Sequence, residues 1–307
     1  MGKIKIIGTG LSGMVGSRIV ELLGGQYDFK NLSLETGVDI TDKTLIANIL
    51  QESDAPIVVH LAAKADVDGC EKDKEKDVKI LKYQNIGEQE EEWRREKTAW
   101  CINVLGTKNL MEACLKTGKK LIYISTDFIF DGENKDGYME EATPNPINWY
   151  GKTKYEGEKI VENLNSYCIM RLAYPYRISF ERNDFVRSII LRLKNKEPLQ
   201  MVTDHFMTPT FIDDFAGALD ILIKTKSQGI FHAVGSQFIT PYEAALLIAK
   251  IFGFNPSLIS KTTREEFFKD RAKRPFYLKI KNAKISGLGS KMLKFEEGLK
   301  RIKEQLI

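Results

Sequence analysis

A phenol and an ammonium stand four residues apart in Trp149-Tyr150-Gly151-Lys152-Thr153-Lys154. A helical pattern begins at this point, and residues at i and i+4 share a helix face. A free tyrosine titrates near ~10 and is a poor proton donor or acceptor at neutral pH unless a neighbouring cation favours its phenolate. Lys154 is placed to be that cation. The same spacing also describes an ordinary surface helix, so the pair needs support from elsewhere. It comes from Thr126, 24 residues before Tyr150, in Ser125-Thr126-Asp127-Phe128-Ile129-Phe130-Asp131-Gly132. This stretch leaves the apolar run Lys120-Leu121-Ile122-Tyr123-Ile124, which reads as a central strand. Thr126, Tyr150 and Lys154 together are the parts of a proton-transfer site acting on a substrate oxygen.

Such a site needs a scaffold, and the N-terminus provides one. Lys3 to Ile7 reads as a strand, Gly8-Thr9-Gly10-Leu11-Ser12-Gly13-Met14-Val15-Gly16 as a glycine turn, and Ser17 to Leu23 has helical apolar spacing. Glycines let a backbone approach a pyrophosphate, whose charge is favoured by free N–H groups and the positive end of a helix. Gly10, Ser12, Gly13, Met14, Val15 and Gly16 are therefore candidate dinucleotide contacts. Leu32-Ser33-Leu34-Glu35 reads as a second strand end, where Glu35 either accepts from an adenosine ribose hydroxyl or is a solvated acid. No Arg or Lys immediately follows it as a 2'-phosphate clamp. Pro56 to Leu61 is a buried strand pattern followed by small residues. Leu61, Ala62, Ala63 and Lys64 are further cofactor candidates, and His60 reads as a packed strand histidine.

The remaining composition excludes several classes. The chain has 307 residues, 43% hydrophobic and 29% charged, with no apolar run approaching the roughly 18 needed to span a bilayer. No signal-peptide pattern is present at the N-terminus, so a cytoplasmic location is expected. A net charge of +4 is spread along the chain with no basic block interleaved with aromatics, which argues against nucleic acid. Cys70, Cys101, Cys114 and Cys168 have no Cys-x-x-Cys spacing, and three scattered histidines suggest no metal site. From Glu71 to Lys97, 17 of 27 residues are charged. That composition suggests a solvated, partly helical insertion over the rim of the sheet, whose deletion is expected to leave turnover largely intact; the alternative is a lid or oligomer contact, for which deletion would collapse substrate affinity. Thr98 to Lys116 resumes a helical apolar pattern in which Asn103 wants a backbone partner.

These motifs resemble the dTDP-4-dehydrorhamnose reductase branch of the extended short-chain dehydrogenase/reductase superfamily. The resemblance runs from Lys3 to about Leu288. It rests on the Thr9 to Gly16 loop, Asp39-Ile40-Thr41-Asp42, Ala62 to Asp68, Asn103-Val104-x-Gly106-Thr107, the Ser125 and Tyr150 stretches, Arg171-Leu172-Ala173-Tyr174, Asp204 to Thr210 and Arg274-Pro275. It implies an α/β fold, a Rossmann-type doubly wound parallel sheet over residues 1–170 with about 210–235 returning to it, and a smaller C-terminal substrate-binding lobe over 171–307. It implies NADP(H) or NAD(H) as cofactor, with Asp39 and Ile40 at the adenine and Asn103, Ser125, Tyr150, Lys154 and Tyr174 also in contact. Val67, Asp68, Thr126, Asp127, Phe128, Asn183, Phe185, Thr208 and Arg274 are the implied substrate residues. The implied partners are a nucleotide-sugar substrate and, as an option, a second copy of the chain. Met207 and Phe276-Tyr277-Leu278 depart from the family pattern.

The implied reaction is reduction of a 4-keto-deoxysugar, with Tyr150 as general acid, Thr126 bonded to the same oxygen, and Lys154 lowering the phenol pKa. Two alternatives stand beside it: an NAD-dependent nucleotide-sugar epimerase, and a non-catalytic subunit resembling the methionine adenosyltransferase β subunit. Dehydration is disfavoured because Phe128 stands where dehydratases carry a Glu, and a phenyl ring cannot abstract a proton.

Overall fold

The computed structural model describes residues 2–305. It divides into two compact units, the first comprising residues through Ile129, Pro146–Met170 and Lys226–Ile230, the second Phe130–Asn145, Arg171–Thr225 and the chain from Phe231 on.

Strands β1 (Ile4–Thr9), β2 (Tyr27–Leu32), β3 (Ile57–His60), β4 (Lys120–Thr126) and β5 (Tyr167–Leu172), with Gly229–His232, form a six-stranded sheet in the order β2-β1-β3-β4-β5 and then 229–232. The β1/β2, β1/β3 and β3/β4 pairs are parallel, with Ile6 opposite Ile57 and Val59 opposite Ile122. Parallel strands are covered on both faces and so read as continuous apolar runs, which explains why Ile6, Ile7, Val58 and Val59 are all 0% exposed. Helices α1 (Met14–Leu23) and α2 (Lys43–Glu52) lie between the first three strands in the chain. The sheet grows from β1 to β2 on one side and to β3 on the other. The carboxyl ends of β1 and β3 therefore mark the topological switch point, where ligands of doubly wound folds bind.

The expected solvated insertion is corrected by the structure. It folds as α3 (Val67–Ile80) and α4 (Ile86–Glu96), and Cys70, Asp77, Ile80 and Trp93 are buried. Apart from Asp77, most of the charges lie on the outer faces, where pairs such as Lys76 with Glu96 form, while Ile80 and Trp93 pack with Cys101 and Leu105. Composition averages over both faces of a helix and hid the buried one. A π-helical turn (Cys101–Leu105), α5 (Gly106–Thr117) and α6 (Trp149–Val161) complete the helices that matter for the site.

The second unit pairs Leu199–Val202 with Ile259–Thr262 and packs Phe185–Lys194, Pro241–Phe252 and Phe295–Gln305 around a core that includes Val186, Ile189, Ile248, Leu299 and Ile302. Pro241–Phe252 begins with Pro in its first turn and a reciprocal Thr240 and Glu243 capping box, which satisfies the orphan N–H groups. No helix among the described residues is long and apolar enough to cross a membrane.

Burial holds all three histidines neutral, with pKa values pushed down to about 3 at His60, about 4 at His205 and about 3 at His232. Each folded pKa lies below the unfolded one, near ~6.5. The stability each contributes is therefore complete above that pH and is lost as pH falls towards the folded value. Histidine ring signals followed by NMR should not titrate between pH 8 and 5, and a midpoint near 6.5 for any of the three would contradict this burial.

Candidate active site

The glycine turn after β1 is a cradle only glycine fits. Gly10 has φ +69°, and a Cβ there would meet the Ala62 backbone N at 2.8 Å; a Cβ on Gly16 would meet the Gly10 carbonyl O at 2.5 Å. The Gly13 N–H donates to Gly10 O at 3.1 Å, and α1 then starts with no side-chain cap and no acid in its first turn. No capping oxygen or carboxylate of its own side chains therefore opposes an anion at this helix start. Ser12, Met14 and Val15 are part-exposed here.

Around this cradle the carboxyl ends of β1, β2 and β3 enclose a cleft of about 580 Å³. Gly10, Ser12, Gly13, Glu35, Asp39, Ile40, Leu61, Ala62 and Ala63 all line it. Lys97, not anticipated as a site residue, lines it too and donates to Asp39 Oδ2 at 2.6 Å and Thr41 Oγ1 at 2.9 Å. Burial opposes the Asp39 charge, but Lys97 and Thr41 outweigh it and hold the carboxyl below its usual range. The wall is fixed from below by His60, whose Nδ1 meets Thr9 Oγ1 at 2.7 Å and whose Nε2 meets Thr107 Oγ1 at 3.0 Å. Thr107 donates its own proton to Asn103 O, so His60 carries its hydrogen on Nε2 and accepts from Thr9. His60 is a packed strand histidine.

Asn103 sits in the π-helical turn, a distortion common at functional sites. Its amide receives the Lys64 N–H at 2.8 Å and donates to Lys64 O at 3.0 Å and Thr153 Oγ1 at 3.0 Å. The side chain is consumed by the chain itself, so Asn103 ties the loop after β3 to α6. The backbone partner that a buried amide requires is thus Lys64. Lys64 extends its own ammonium to Asp73 at 2.5 Å.

At the end of β4 the catalytic candidates come together. Asn148 caps α6 by accepting from the Gly151 N–H at 2.9 Å. A Cβ on Gly151 would lie 2.0 Å from Phe128 O, and one on Gly157 2.4 Å from the Tyr123 hydroxyl. These two glycines let α6 lie directly on β4 and its following turn. Tyr150 is thereby placed beside Thr126 and meets the Phe128 ring edge-on at 5.9 Å. Burial raises the Tyr150 pKa well above its ordinary value, and the neighbouring Thr126 hydroxyl only partly offsets this.

Lys154 is anchored on β4: its Nζ donates to Ile124 O at 2.7 Å and lies 4.0 Å above the Tyr123 ring. Burial lowers Lys154 to about 7, with Glu158 pulling the other way. In the protein alone burial is the largest influence on the phenol and sets the direction of its shift.

Thr126 Oγ1 also meets Asp127 Oδ1 at 3.0 Å and accepts the Phe128 N–H at 3.2 Å. Burial pushes Asp127 up to about 7. Ser125 Oγ and Asp127 Oδ2 are buried without a hydrogen-bond partner. Buried polar groups are nearly always satisfied, so two orphans at one strand end are suited to a ligand's polar atoms. Val67 and Asp68, the other substrate candidates of this unit, open α3 in part-buried positions.

The remaining candidates lie in the second unit. The Tyr174 hydroxyl meets His205 Nε2 at 2.6 Å, and its backbone is left-handed at φ 40°, an uncommon state for a bulky residue. Phe185 opens a helix after Asn183 and meets the Tyr174 ring edge-on at 6.1 Å. Arg274 donates to Ala272 O at 2.6 Å and stacks over Phe268. Thr208 is 0% exposed, donates to Leu278 O and accepts the Ile280 N–H. Met207 and Leu278, two of the departures from the family pattern, are likewise buried at 0% exposure and face the interior.

Comparison with known proteins agrees with this architecture. The family model described as RmlD substrate binding domain matches residues 4–87 and 82–307. A dTDP-4-dehydrorhamnose reductase of Aggregatibacter actinomycetemcomitans is 26% identical over 80% of this chain and 78% of its own length. A methionine adenosyltransferase 2 subunit beta of Xenopus tropicalis is 25% identical over 92% of this chain and 81% of its own. The crystal structure of dTDP-4-dehydrorhamnose reductase from Bacillus anthracis, in complex with NADP, is 30% identical with a TM-score of 0.85, covering 99% of this chain and 100% of that one. With the glycine cradle, the β4 hydroxyls and the α6 Tyr and Lys in one unit, the chain belongs to the RmlD substrate-binding domain family, the dTDP-4-dehydrorhamnose reductase branch of the extended short-chain dehydrogenases.

Proposed function

We propose that this protein is an NAD(P)H-dependent reductase of a nucleotide-linked 4-keto-deoxysugar of the dTDP-4-dehydrorhamnose type. The observation that carries the reading is Tyr150 set beside Thr126 next to two orphaned buried polar atoms, Ser125 Oγ and Asp127 Oδ2. The residues fit a dinucleotide: a Cβ at Gly10 or Gly16 would fill the cradle, and the cleft is large enough for an adenosine. Gly10, Ser12 and Gly13, at the positive end of α1, would hold the pyrophosphate, and Glu35, Asp39 and Ile40 the adenosine. When bound, the reduced dinucleotide supplies the hydride that turns the ketone carbon into a secondary alcohol carbon.

The protein's own side chains handle the oxygen. Tyr150, kept protonated by burial, donates its phenolic proton as the carbonyl oxygen becomes an alkoxide. Thr126 hydrogen-bonds that oxygen and fixes its position. Lys154, anchored on Ile124 O, contributes positive charge and is the residue proposed to hold the cofactor's ribose. Phe128 covers one side of Tyr150 with a ring that cannot remove a proton, which favours a single reduction over elimination.

The test follows reduced-cofactor absorbance with dTDP-4-keto-6-deoxy sugars, using NADPH and NADH in parallel. Stoichiometric cofactor oxidation with formation of a 4-hydroxy sugar is expected. Protein that holds NAD tightly and interconverts sugars without consuming cofactor would overturn the reading.

A further inference from the structure

The most heavily charged stretch of the chain places a fully buried carboxylate beside the catalytic helix. Asp77 is 0% exposed. Its Oδ2 accepts the Trp149 Nε1–H at 2.7 Å and the Trp100 N–H at 3.2 Å, and its Oδ1 accepts from Thr98 Oγ1. All three tryptophans of the chain stack here, Trp93 on Trp100 at 6.0 Å and Trp100 on Trp149 at 5.7 Å. Trp149 is the first residue of α6 and the neighbour of Tyr150. One turn earlier in α3, Asp73 accepts the Ala99 N–H at 2.8 Å, and Glu71 accepts the Trp149 N–H at 2.7 Å. A carboxylate desolvated this completely persists only with its donors in place, so its location is a strong constraint on the residues that supply them.

We propose that Asp77 is a positioning residue for Tyr150: by holding the Trp149 indole against the tryptophan stack, it fixes the first turn of α6 and hence the phenol's place beside Thr126. This rests on the reductase reading for its kinetic consequence, but not for its structural one. On this account α3 serves catalysis from one helix away, through the indole that opens α6.

Three variants test the proposal. Asp77→Asn keeps a carbonyl oxygen for the Trp149 and Trp100 donors, and its kcat should stay within about 3-fold of wild type. Asp77→Leu removes the acceptor and should lower kcat by about 10- to 100-fold, the scale on which a displacement of about 1 Å slows chemistry. NAD(P)H affinity and KM should stay near wild type. Trp149→Phe keeps the aromatic bulk but deletes the indole N–H, and should lower kcat in the same direction if Asp77→Leu fails to fold. Amide exchange of the peptide spanning 147–155 gives a readout that needs no substrate: it should quicken in Asp77→Leu and Trp149→Phe and not in Asp77→Asn. Were the wild type inactive on every 4-keto sugar, the reductase reading would fail while this exchange pattern still decided the role of Asp77. Wild-type exchange and kcat in Trp149→Phe, or equal losses of kcat and cofactor affinity in Asp77→Leu, would overturn the proposal.

Discussion

Tyr150→Phe is expected to lower kcat by about 10²- to 10⁴-fold, the usual effect of losing a positioned general acid. Cofactor affinity should stay near wild type, because the cleft is lined by the ends of β1, β2 and β3 and not by Tyr150. The fold should survive, since a phenyl ring preserves the edge-on contact with Phe128 and removes only the hydroxyl beside Thr126. Burial raises the phenol well above its ordinary pKa, so Tyr150 keeps its proton throughout the accessible alkaline range. It should therefore produce no alkaline limb in the pH–rate profile. Lys154 is the group that titrates there: with its pKa lowered to about 7, its charge is present below that pH and lost as pH rises through it. A profile whose alkaline limb persists unchanged in Lys154→Met, or near-normal turnover in Tyr150→Phe, would remove this mechanism.

Gly151→Ala should be nearly as damaging although it adds one methyl group. That methyl would sit 2.0 Å from Phe128 O and 2.8 Å from its carbonyl carbon, and neither is the end of a flexible side chain. Either α6 retreats from β4 or the turn carrying Thr126 and Asp127 shifts, and both separate the phenol from the threonine. A displacement of about 1 Å is enough to cost roughly 10²-fold in rate. The overpacking should also lower unfolding stability by about 1–3 kcal/mol. Parallel measurement of kcat and of the urea midpoint checks both effects. An active Gly151→Ala protein with an unchanged midpoint would mean that α6 does not lie on β4 as described.

The pairing of Gly151 with Phe128 illustrates why a quoted motif is only partly legible. Gly151 stands inside the Tyr150 to Lys154 stretch, but what it avoids lies more than twenty residues earlier in the chain. Asn103 was readable as a buried amide in need of backbone, yet its partners, Lys64 and Thr153, come from two other elements. Lys154 shares a helix face with Tyr150 by its i and i+4 spacing, but the carbonyl and the ring that anchor its ammonium lie on β4.

What the amino-acid order determined by itself was local and periodic. Apolar runs made strands, the Gly10 to Gly16 spacing made a cradle between a strand and a helix, and Thr126, Tyr150 and Lys154 announced proton chemistry because few other arrangements use those groups at a strand end and a helix start. Only the tertiary structure decided which faces were buried. It turned a stretch rich in surface charge into α3 and α4, put the Asp77 carboxylate under Trp149, brought Lys97 to the cleft through Asp39, and buried Thr208 and Met207. The physical reason is that desolvation and hydrogen-bond satisfaction depend on partners distant in the chain, whereas periodicity and glycine geometry depend on neighbours.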